Sequence, residues 1–527
     1  MFHLSGNLLC RRSSVLGMQA PLYAFIVSSL LGLSTLSARP SLPPHFGPHM
    51  VLQCDQQLPL WGRSEPGEKI TLSFAGQSRT FTADAQGAWS TSLDPLCVSA
   101  SPRSLTVSGD KPDSSGDMSP LVLDDILVGE VWLCSGQSNM DMTVAMTPKY
   151  RFAGVNNEAA EVAAANHPLI RMFTGTPTCI NTPQYSVPGL WRACTPNTVR
   201  EFSAAAYFFA RRLRQDLDVP VGLVTLSYGA STAQAWIRRE AITADPLLKP
   251  VLDTFDAQVA NHVAPSEAEI IAWKAEVEKA RSLGLRAPKQ PKSDPVLDQH
   301  NPTVLFNGMV NPVVPMALRG ILWYQGESIT APKELFPRWN ETLIKDWRKL
   351  WGRDLPFYFV QLASHKAASN SPTVREQQAL ALALPSTGMA VAIDIGDRDN
   401  VHPKNKQEVG ARLALIALAK TYGKEIEYSG PVLSSSQREG SALRLLFTHA
   451  KGGLVVREGN VRTLEIAGPD GKFFPAEAVL DGDSLLVSNS SIQNPRSVRY
   501  AWAAYPEGSN LYNQAGLPAA PFRTDVP

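Results

Sequence analysis

The stretch Val131-Trp-Leu-Cys-Ser-Gly-Gln-Ser-Asn-Met140 decides the fold that the sequence predicts. Its first four residues are apolar, and the apolar run stops abruptly at Ser135, where a small polar turn begins. A buried strand that ends in such a turn is typical of α/β enzymes, which place reactive groups outside the carboxyl ends of their strands. Because strand-to-helix turns also use Ser, Gly and Asn for capping, this stretch alone is a weak sign of catalysis.

Outward from this stretch, residues 123–428 alternate apolar runs with helical patterns. This alternation predicts a mostly parallel sheet between two layers of helices, a three-layer α/β/α domain. The polar and charged segment 263–298 is predicted to be an inserted helix and surface loop. The predicted strands are Ile126–Cys134, Val221–Ser227, Gly320–Tyr324, Phe357–Leu362 and Met389–Asp394, and the predicted helices are Ala204–Leu217, Glu334–Trp351 and Lys404–Tyr422.

Short β-prone runs flank the central domain on both sides. Residues 39–122 and 429–527 are each predicted to form a β-sandwich-like module, because their runs are divided by Gly, Asp and Pro turns. A chain of 527 residues is too long for one core, so several domains are expected. The runs are Lys69–Phe74, Ser78–Thr82 and Ser104–Ser108 in the first module, and Ser441–Thr448, Leu485–Val487 and Ser497–Trp502 in the second.

Residues 1–38 are predicted to be a secretory signal peptide. Arg11 and Arg12 precede an apolar stretch that ends in small residues at Ala38. The alternative is an uncleaved anchor, which the serines and glycine of the stretch make a poor permanent span. We therefore expect an exported protein, periplasmic or extracellular, without stable membrane insertion after cleavage. The sequence does not indicate an oligomeric state.

Charge and cysteine usage exclude several function classes. The 49 Lys and Arg residues nearly balance the 48 Asp and Glu residues, without a basic stripe, which argues against nucleic acid as a partner. No Cys or His cluster has metal-ligand spacing, so we expect no metal site. Because export permits disulfides, Cys54 with Cys97 and Cys179 with Cys194 are candidate pairs, and Cys134 is predicted to be a buried free thiol.

Three further polar stretches follow predicted strands. In Ser227–Ser231, a glycine lets backbone N–H groups approach a ligand. In Trp323–Ser328, the Gln325 amide is suited to donate to an oxyanion, although Gln325 could equally satisfy backbone groups. In the third, Asp399 and His402 stand three residues apart, a spacing that lets a carboxylate orient an imidazole. A serine, a base and an orienting acid together predict a hydrolase of acyl groups.

Taken in order, the four strand-end stretches resemble the sialate O-acetylesterases of the SGNH hydrolase superfamily. The resemblance covers nearly the whole chain after the signal peptide, and it implies an SGNH-hydrolase central domain. Several ordered blocks are more specific than any one motif. These blocks are His49–Gln53, Leu58–Gly62, Gly129–Met140, Leu305–Met309, Gly320–Ser328, His402–Gly410, Val498–Trp502, Asn510–Asn513 and Pro521–Thr524.

The resemblance implies a role for each catalytic group. Ser138 is the implied nucleophile, His402 its base and Asp399 the acid that orients His402. The implied oxyanion hole consists of the backbone N–H groups of Ser138 and Gly229 and the side chain of Gln325. The mechanism requires no cofactor. The missing GxSxG elbow argues against the α/β-hydrolase fold.

Other residues are expected to support or line the pocket. Glu327 and Asn139 are support candidates, and Glu327 is also an alternative to Asp399 as the orienting acid. Tyr228, Tyr324 and Trp236 are candidates for stacking on a sugar, and core packing is an equal alternative for each.

The sequence departs from the family pattern near the expected pocket. Asp141-Met-Thr-Val144, Ile329 and Ala230 stand where the family usually has other residues. Because none of them removes a catalytic group, they put only the substrate preference in doubt. Three functions therefore compete: an esterase of O-acetylated sialic acids, an esterase of acetylated xylan or another polysaccharide, and a glycan-binding protein without activity. An intact set of catalytic groups argues against the third.

Overall fold

The structure, a computed structural model, describes residues 39–148, 150–285, 287–329, 332–366 and 372–525. The predicted signal peptide lies outside these residues. Within them, no helix is long and apolar enough to cross a membrane. The helices are α1 Ser138–Asp141, α2 Glu158–Ala163, α3 Ala204–Leu217, α4 Arg239–Thr243, α5 Lys249–Ala260, α6 Glu267–Ser282, α7 Phe336–Trp351, α8 Pro372–Ala379 and α9 Lys406–Lys420.

The strands belong to one large sheet and several small ones. In chain order they are β1 Val51–Gln53, β2 Leu58–Arg63, β3 Lys69–Phe74, β4 Gln77–Thr82, β5 Ala88–Leu93, β6 Ser99–Gly109, β7 Leu121–Gly136, β8 His167–Gly175, β9 Gly189–Cys194, β10 Val221–Ser227, β11 Gly320–Tyr324, β12 Phe357–Val360, β13 Thr387–Ala390, β14 Val432–Glu439, β15 Ala442–Thr448, β16 Leu454–Val456, β17 Leu464–Ala467, β18 Phe473–Pro475, β19 Glu477–Asp481, β20 Ser484–Ser488, β21 Ser497–Tyr500, β22 Leu511–Asn513 and β23 Phe522–Arg523.

The central sheet confirms the predicted α/β class. Its strand order is β13-β12-β11-β7-β10-β8-β9, and every neighbouring pair is parallel except β8 with β9. Parallel neighbours require long crossovers, which the intervening segments supply. Because β7, β10 and β11 are parallel neighbours, the polar stretches that follow them meet at one edge of the sheet.

Alternate residues of β7 belong to two separate cores. Val131 and Leu133 pack with residues of α7 and of the N-terminal strands. Trp132 and Cys134 pack with residues of α3 and α9 on the opposite face. Burial on both faces explains why the strand is a continuous apolar run in the sequence.

Strand β7 joins the N-terminal strands to the central sheet. Its first part pairs with β6 and β1, and its second part pairs with β10 and β11. The boundary predicted at residues 122–123 therefore lies inside one strand. The residues of 429–525 form separate small sheets, as their β-prone runs predict.

Two further segments can be compared with the sequence prediction: the polar segment 263–298, which contains α6, and strand β13. Helix α6 begins at Glu267, its N-cap Ser266 forms a capping box, and the helix buries none of its residues. Strand β13 was expected at Met389–Asp394 but spans Thr387–Ala390. The residues Ile393–Ile395 instead form a 3₁₀ turn that leads into the loop carrying His402.

The five cysteines of the described chain are free thiols. The two candidate disulfides, Cys54 with Cys97 and Cys179 with Cys194, are therefore wrong in this structure. Cys134 is buried within the strand, as predicted. It packs on the α3 and α9 side of the sheet, where an apolar environment suits a protonated thiol.

Candidate active site

Ser138 and His402 are in direct contact at the carboxyl edge of the sheet. Ser138 is the first residue of α1, and His402 lies in the loop before α9. The distance from His402 Nε2 to Ser138 Oγ is 2.8 Å, a hydrogen bond. The imidazole also lies against the Phe152 ring, with centroids 4.3 Å apart and planes inclined by 30°. This pair has the geometry of a nucleophile and its base.

A tight turn places Ser138 at this edge. Gly136 has φ of +138°, and a Cβ at this position would lie 2.2 Å from the backbone oxygen of Tyr324. Only glycine fits such a close approach. The next residue, Gln137, donates its backbone N–H to the same oxygen of Tyr324 at 2.9 Å. The chain therefore turns from β7 directly into α1, and Ser138 becomes its first residue.

Gly229 lies beside the nucleophile. A Cβ built at Gly229 would meet Ser138 Cβ at 3.7 Å and no other atom within 4 Å. Ala230 follows with φ of +59°, a left-handed conformation in which glycine is favoured. Because Ser138 begins a helix, its backbone N–H has no acceptor within that helix. The backbone of Ser138 and the backbone of Gly229 therefore lie close together beside the nucleophile.

The side-chain amide of Gln325 is already hydrogen-bonded to backbone oxygens, which argues against the oxyanion role predicted for it. Its Nε2 donates to the backbone oxygens of Ser328 at 2.8 Å and Ser231 at 3.3 Å. The residue is buried. Both N–H groups of the amide are occupied by these backbone acceptors, so Gln325 braces the loop after β11.

Asp399 and His402 share a loop, but the carboxylate of Asp399 is turned toward Lys366. The two side chains form an ion pair and are 68% and 62% exposed. Lys366 lowers the pKa of Asp399 through this hydrogen bond. Within the described chain, His402 donates no hydrogen bond to the carboxylate of Asp399 or Glu327. Asp399 is therefore close to His402 in the sequence, but the two side chains are not in contact in this structure.

A buried polar network lies behind Ser138 and His402. Asn139 Nδ2 donates to Glu327 and, at 3.1 Å, to the backbone oxygen of Val401. Lys406 Nζ donates to Asn139 Oδ1 at 2.8 Å and to the Pro403 oxygen at 2.7 Å. The network ties the nucleophile turn, the loop after β11 and the His402 loop together. These contacts support the prediction that Asn139 and Glu327 brace the pocket.

Lys406 is the residue of this network that sequence reasoning missed. Its side chain is 0% exposed, which is rare for lysine unless it is well bonded. The available signal was its place four residues after His402, in the first turn of α9. Burial lowers the pKa of Lys406 to about 7, against the opposing charge of Glu327. Burial also raises the pKa of Glu327.

The imidazole of His402 is held in its neutral form. Burial, the positive charge of Lys406 and His365 lower the pKa of His402 to about 4. A neutral imidazole can accept the proton of a serine hydroxyl at neutral pH. The electrostatic environment therefore suits a general base.

Only one of the three aromatic candidates lines the open pocket. Tyr228 and Phe152 line a cavity of about 390 Å³ that also borders Gly229 and Asp141. Tyr324 and Trp236 are fully buried, which fits the alternative of core packing given for each of them. Both side chains pack inside the core, where a large aromatic ring stabilises the fold by burying apolar surface. Phe152 was not predicted, since nothing in its local sequence points to His402.

Comparison with known proteins places the chain in a family. The family model for carbohydrate esterase, sialic acid-specific acetylesterase, matches residues 299–419. The sialate O-acetylesterase of Mus musculus is 29% identical over 91% of this chain and 93% of its own length. That of Homo sapiens is 27% identical over 88% of each chain.

A solved structure with similar architecture is a carbohydrate acetylesterase, XAC1771, from Xanthomonas citri. It is 35% identical, with a TM-score of 0.76, over 92% of this chain and 100% of its own. The fold and its relatives define a carboxylic ester hydrolase. The chain belongs to the sialate O-acetylesterase family of carbohydrate esterases. Membership supports carbohydrate O-deacetylation as its reaction.

Proposed function

We propose that this protein is an exported esterase that removes acetyl groups from O-acetylated sialic acids through an acyl-serine intermediate. The contact between Ser138 Oγ and His402 Nε2 is the observation that carries the proposal. The names of the mammalian relatives support the sialic acid substrate. The parallel sheet, with Ser138 at its carboxyl edge, supports an SGNH-type three-layer arrangement.

The two half-reactions use the same base. His402 Nε2 takes the hydroxyl proton of Ser138 as Oγ attacks the acetyl carbonyl. The bond between the carbonyl carbon and the sugar oxygen then breaks, and His402 returns the proton to that oxygen. Water, deprotonated by His402, attacks the acyl-serine and releases acetate. The proton passes back to Ser138 Oγ, which restores the enzyme.

The backbone N–H groups of Ser138 and Gly229 form the oxyanion hole in this proposal. Gly229 lies against Ser138, and Ser138 is the first residue of α1, so its N–H has no acceptor within that helix. The side chain of Gln325 is not part of the hole, because its amide is bonded to backbone oxygens. Each preorganised donor is worth about 10²–10³ in turnover.

Asp399 orients His402 once its ion pair with Lys366 opens. Because both side chains are exposed, water screens the ion pair, and the carboxylate can leave Lys366 at little cost. The spacing of three residues on one loop supports this role. Glu327 Oε1 accepts a hydrogen bond from Asn139, which supports a bracing role for Glu327. We expect Asp399→Asn to fold like wild type and to have a lower kcat. Lys366→Met is the control and should keep the wild-type kcat. An unchanged kcat in Asp399→Asn would exclude Asp399 as the acid that orients His402.

O-acetylated neutral polysaccharide is the second candidate substrate. The similar structure from Xanthomonas citri is a carbohydrate acetylesterase, a name that specifies no particular sugar. Asp141 lines the cavity beside Ser138, and a carboxylate there favours sugar hydroxyls over an anionic sugar. This observation favours a neutral sugar, and only substrate assays separate the two candidates.

The test is acetate release by wild type and Ser138→Ala on a model acetyl ester, O-acetylated sialic acid and acetylated xylan. We expect Ser138→Ala to lose on the order of 10⁴-fold or more in kcat on every substrate. The better natural substrate of the wild type identifies the substrate class. Activity that survives in Ser138→Ala would overturn the mechanism. Failure to release acetate from any sugar ester by folded wild type would overturn the function.

A further inference from the structure

A second cavity adjoins the one beside Ser138. It has a volume of about 450 Å³, and it shares Asp141 and Tyr150 with the cavity that borders Gly229. Its size falls within the range of roughly 300–1,000 Å³ that is usual for small-molecule sites. The two cavities therefore adjoin each other, and the one that borders Gly229 lies beside Ser138.

The floor of this second cavity is the carboxyl end of two parallel strands. Thr225 of β10 and Thr174 of β8 are register partners there. Thr225 is 4% exposed, and its buried Oγ1 has no hydrogen-bond partner among the described residues. A buried hydroxyl without a partner is costly, so a polar ligand or a water that a ligand replaces is expected beside it.

The walls suit an uncharged sugar ring. Thr147 and Thr176 add hydroxyl groups, and Leu190 is 52% exposed, so that it offers an apolar surface to the CH face of a ring. Arg192 and Glu201 form an ion pair at the cavity. Since this pair is neutral as a whole, Asp141 leaves the lining with a net negative charge. Such a lining binds hydroxyl groups and disfavours a carboxylate.

We propose that this cavity binds the neutral sugar linked to the acetylated one, so that the enzyme prefers acetylated oligosaccharides over acetylated monosaccharides. The inference rests on the proposed function, because it places the acetylated sugar at Ser138. It fits both substrate candidates, since the neighbour of a sialic acid and that of a xylose residue can each be neutral.

The first test compares kcat/KM for monoacetylated xylose with acetylated xylo-oligosaccharides, and for free O-acetylated sialic acid with its lactose conjugate. We expect wild type to favour the longer member of the active pair by about tenfold or more. A difference below about twofold in the active pair would overturn the inference and leave the esterase function intact. No acetate from either pair, with 4-nitrophenyl acetate still hydrolysed, would overturn both proposals.

The second test changes the cavity. Thr174→Phe fills it from an exposed strand position, and Arg192→Ala removes a wall donor. Each should lower the ratio of kcat/KM for the oligosaccharide to that for 4-nitrophenyl acetate by about tenfold. Arg212→Ala, on the exposed side of α3, is the matched control and should keep the wild-type ratio. A wild-type ratio in both folded cavity variants would contradict the inference.

Discussion

At the scale of single residues, His402 predicts the acid limit of activity. Burial and the charge of Lys406 lower the pKa of His402 to about 4, and only the neutral imidazole accepts the serine proton. We therefore expect kcat/KM to be flat near neutral pH and to fall as pH drops through about 4. The measurement is a pH profile with 4-nitrophenyl acetate, with circular dichroism at each pH to confirm folding. A limb near the ordinary histidine pKa of 6.5 would contradict this account.

Lys406 is predicted to position the catalytic pair through Asn139. Lys406→Met removes the two hydrogen bonds that hold Asn139 and Pro403, so we expect kcat to fall about 100-fold. Loss of the nearby positive charge should also raise the pKa of His402, which moves the acid limb to higher pH. A merely structural lysine would not move that limb.

The matched control for Lys406→Met is Lys404→Met. Lys404 is an exposed lysine two positions earlier in the chain. We expect wild-type kcat and pH profile in this control. An unshifted acid limb with kcat within threefold of wild type in folded Lys406→Met would exclude the positioning role.

The single residues show which parts of the site a sequence can reveal. Ser138 and His402 were predictable because each follows a recognisable strand. The bonds of Asn139 were not, because its partners lie 188 to 267 positions away in the chain. Gln325 was misassigned for the same reason: its acceptor Ser231 is 94 positions distant, and no local pattern shows that the amide is already bonded.

At the scale of elements, the turn between β7 and α1 depends on Gly136. In Gly136→Ala, a methyl group would meet the Tyr324 oxygen at 2.2 Å on a backbone with φ of +138°. We expect the free energy of unfolding to fall by about 3 kcal/mol and activity to drop with it. The measurement is chemical denaturation together with kcat on 4-nitrophenyl acetate.

Gly352→Ala is the control for the Gly136 variant. Gly352 ends α7 with φ of +66°, and a Cβ there would meet no atom within 4 Å. In Gly352→Ala, the free energy of unfolding should therefore fall only by the cost of a left-handed alanine, about 1 kcal/mol. Equal losses in the two variants would show that the close approach to Tyr324 is unimportant.

The helices and strands that were predicted best are those with a clear pattern of apolar residues in the sequence. Helix α3 and strands β10 and β11 have the predicted bounds, because continuous apolar runs and an amphipathic stripe leave little choice. Strand β13 was displaced because the apolar residues after it are buried in a 3₁₀ turn instead of a strand. Hydrophobicity predicts burial there but does not select the backbone conformation.

At the scale of the whole molecule, a buried ion pair connects the N-terminal strands to the central sheet. Arg319 forms two hydrogen bonds with Glu130, at 2.6 and 2.8 Å, and Glu130 also contacts Cys54 and Tyr422. Glu130 is 5% exposed. Arg319→Met would leave a buried carboxylate without its partner, so we expect a loss of about 3–5 kcal/mol in stability.

The control for Arg319→Met is Arg79→Met at the exposed pair with Asp94. That pair lies at the surface of the N-terminal strands, so its loss should cost at most about 1 kcal/mol. Both variants are compared by equilibrium denaturation. A stability loss in Arg319→Met no larger than in Arg79→Met would contradict the role of the buried pair.

The sequence predicted the α/β class of the fold. It did not predict how the N-terminal strands join the central sheet. Alternation of strands and helices predicted the α/β sheet, and the flanking runs predicted strands on both sides. The continuous strand β7 was not expected, because no local pattern shows that a single strand pairs first with β6 and then with β10. Such a change depends on which strands arrive as neighbours, and that is a property of the assembled chain.

The central claim is that Ser138 is the nucleophile. The most direct measurement is peptide mapping by mass spectrometry of active wild type after inactivation with a fluorophosphonate, which labels a serine activated by its base. The account predicts one adduct, on the peptide that carries Ser138, in proportion to lost activity, and no such adduct in Ser138→Ala. Inactivation with the adduct on another residue, or full activity in a protein labelled at Ser138, would contradict it.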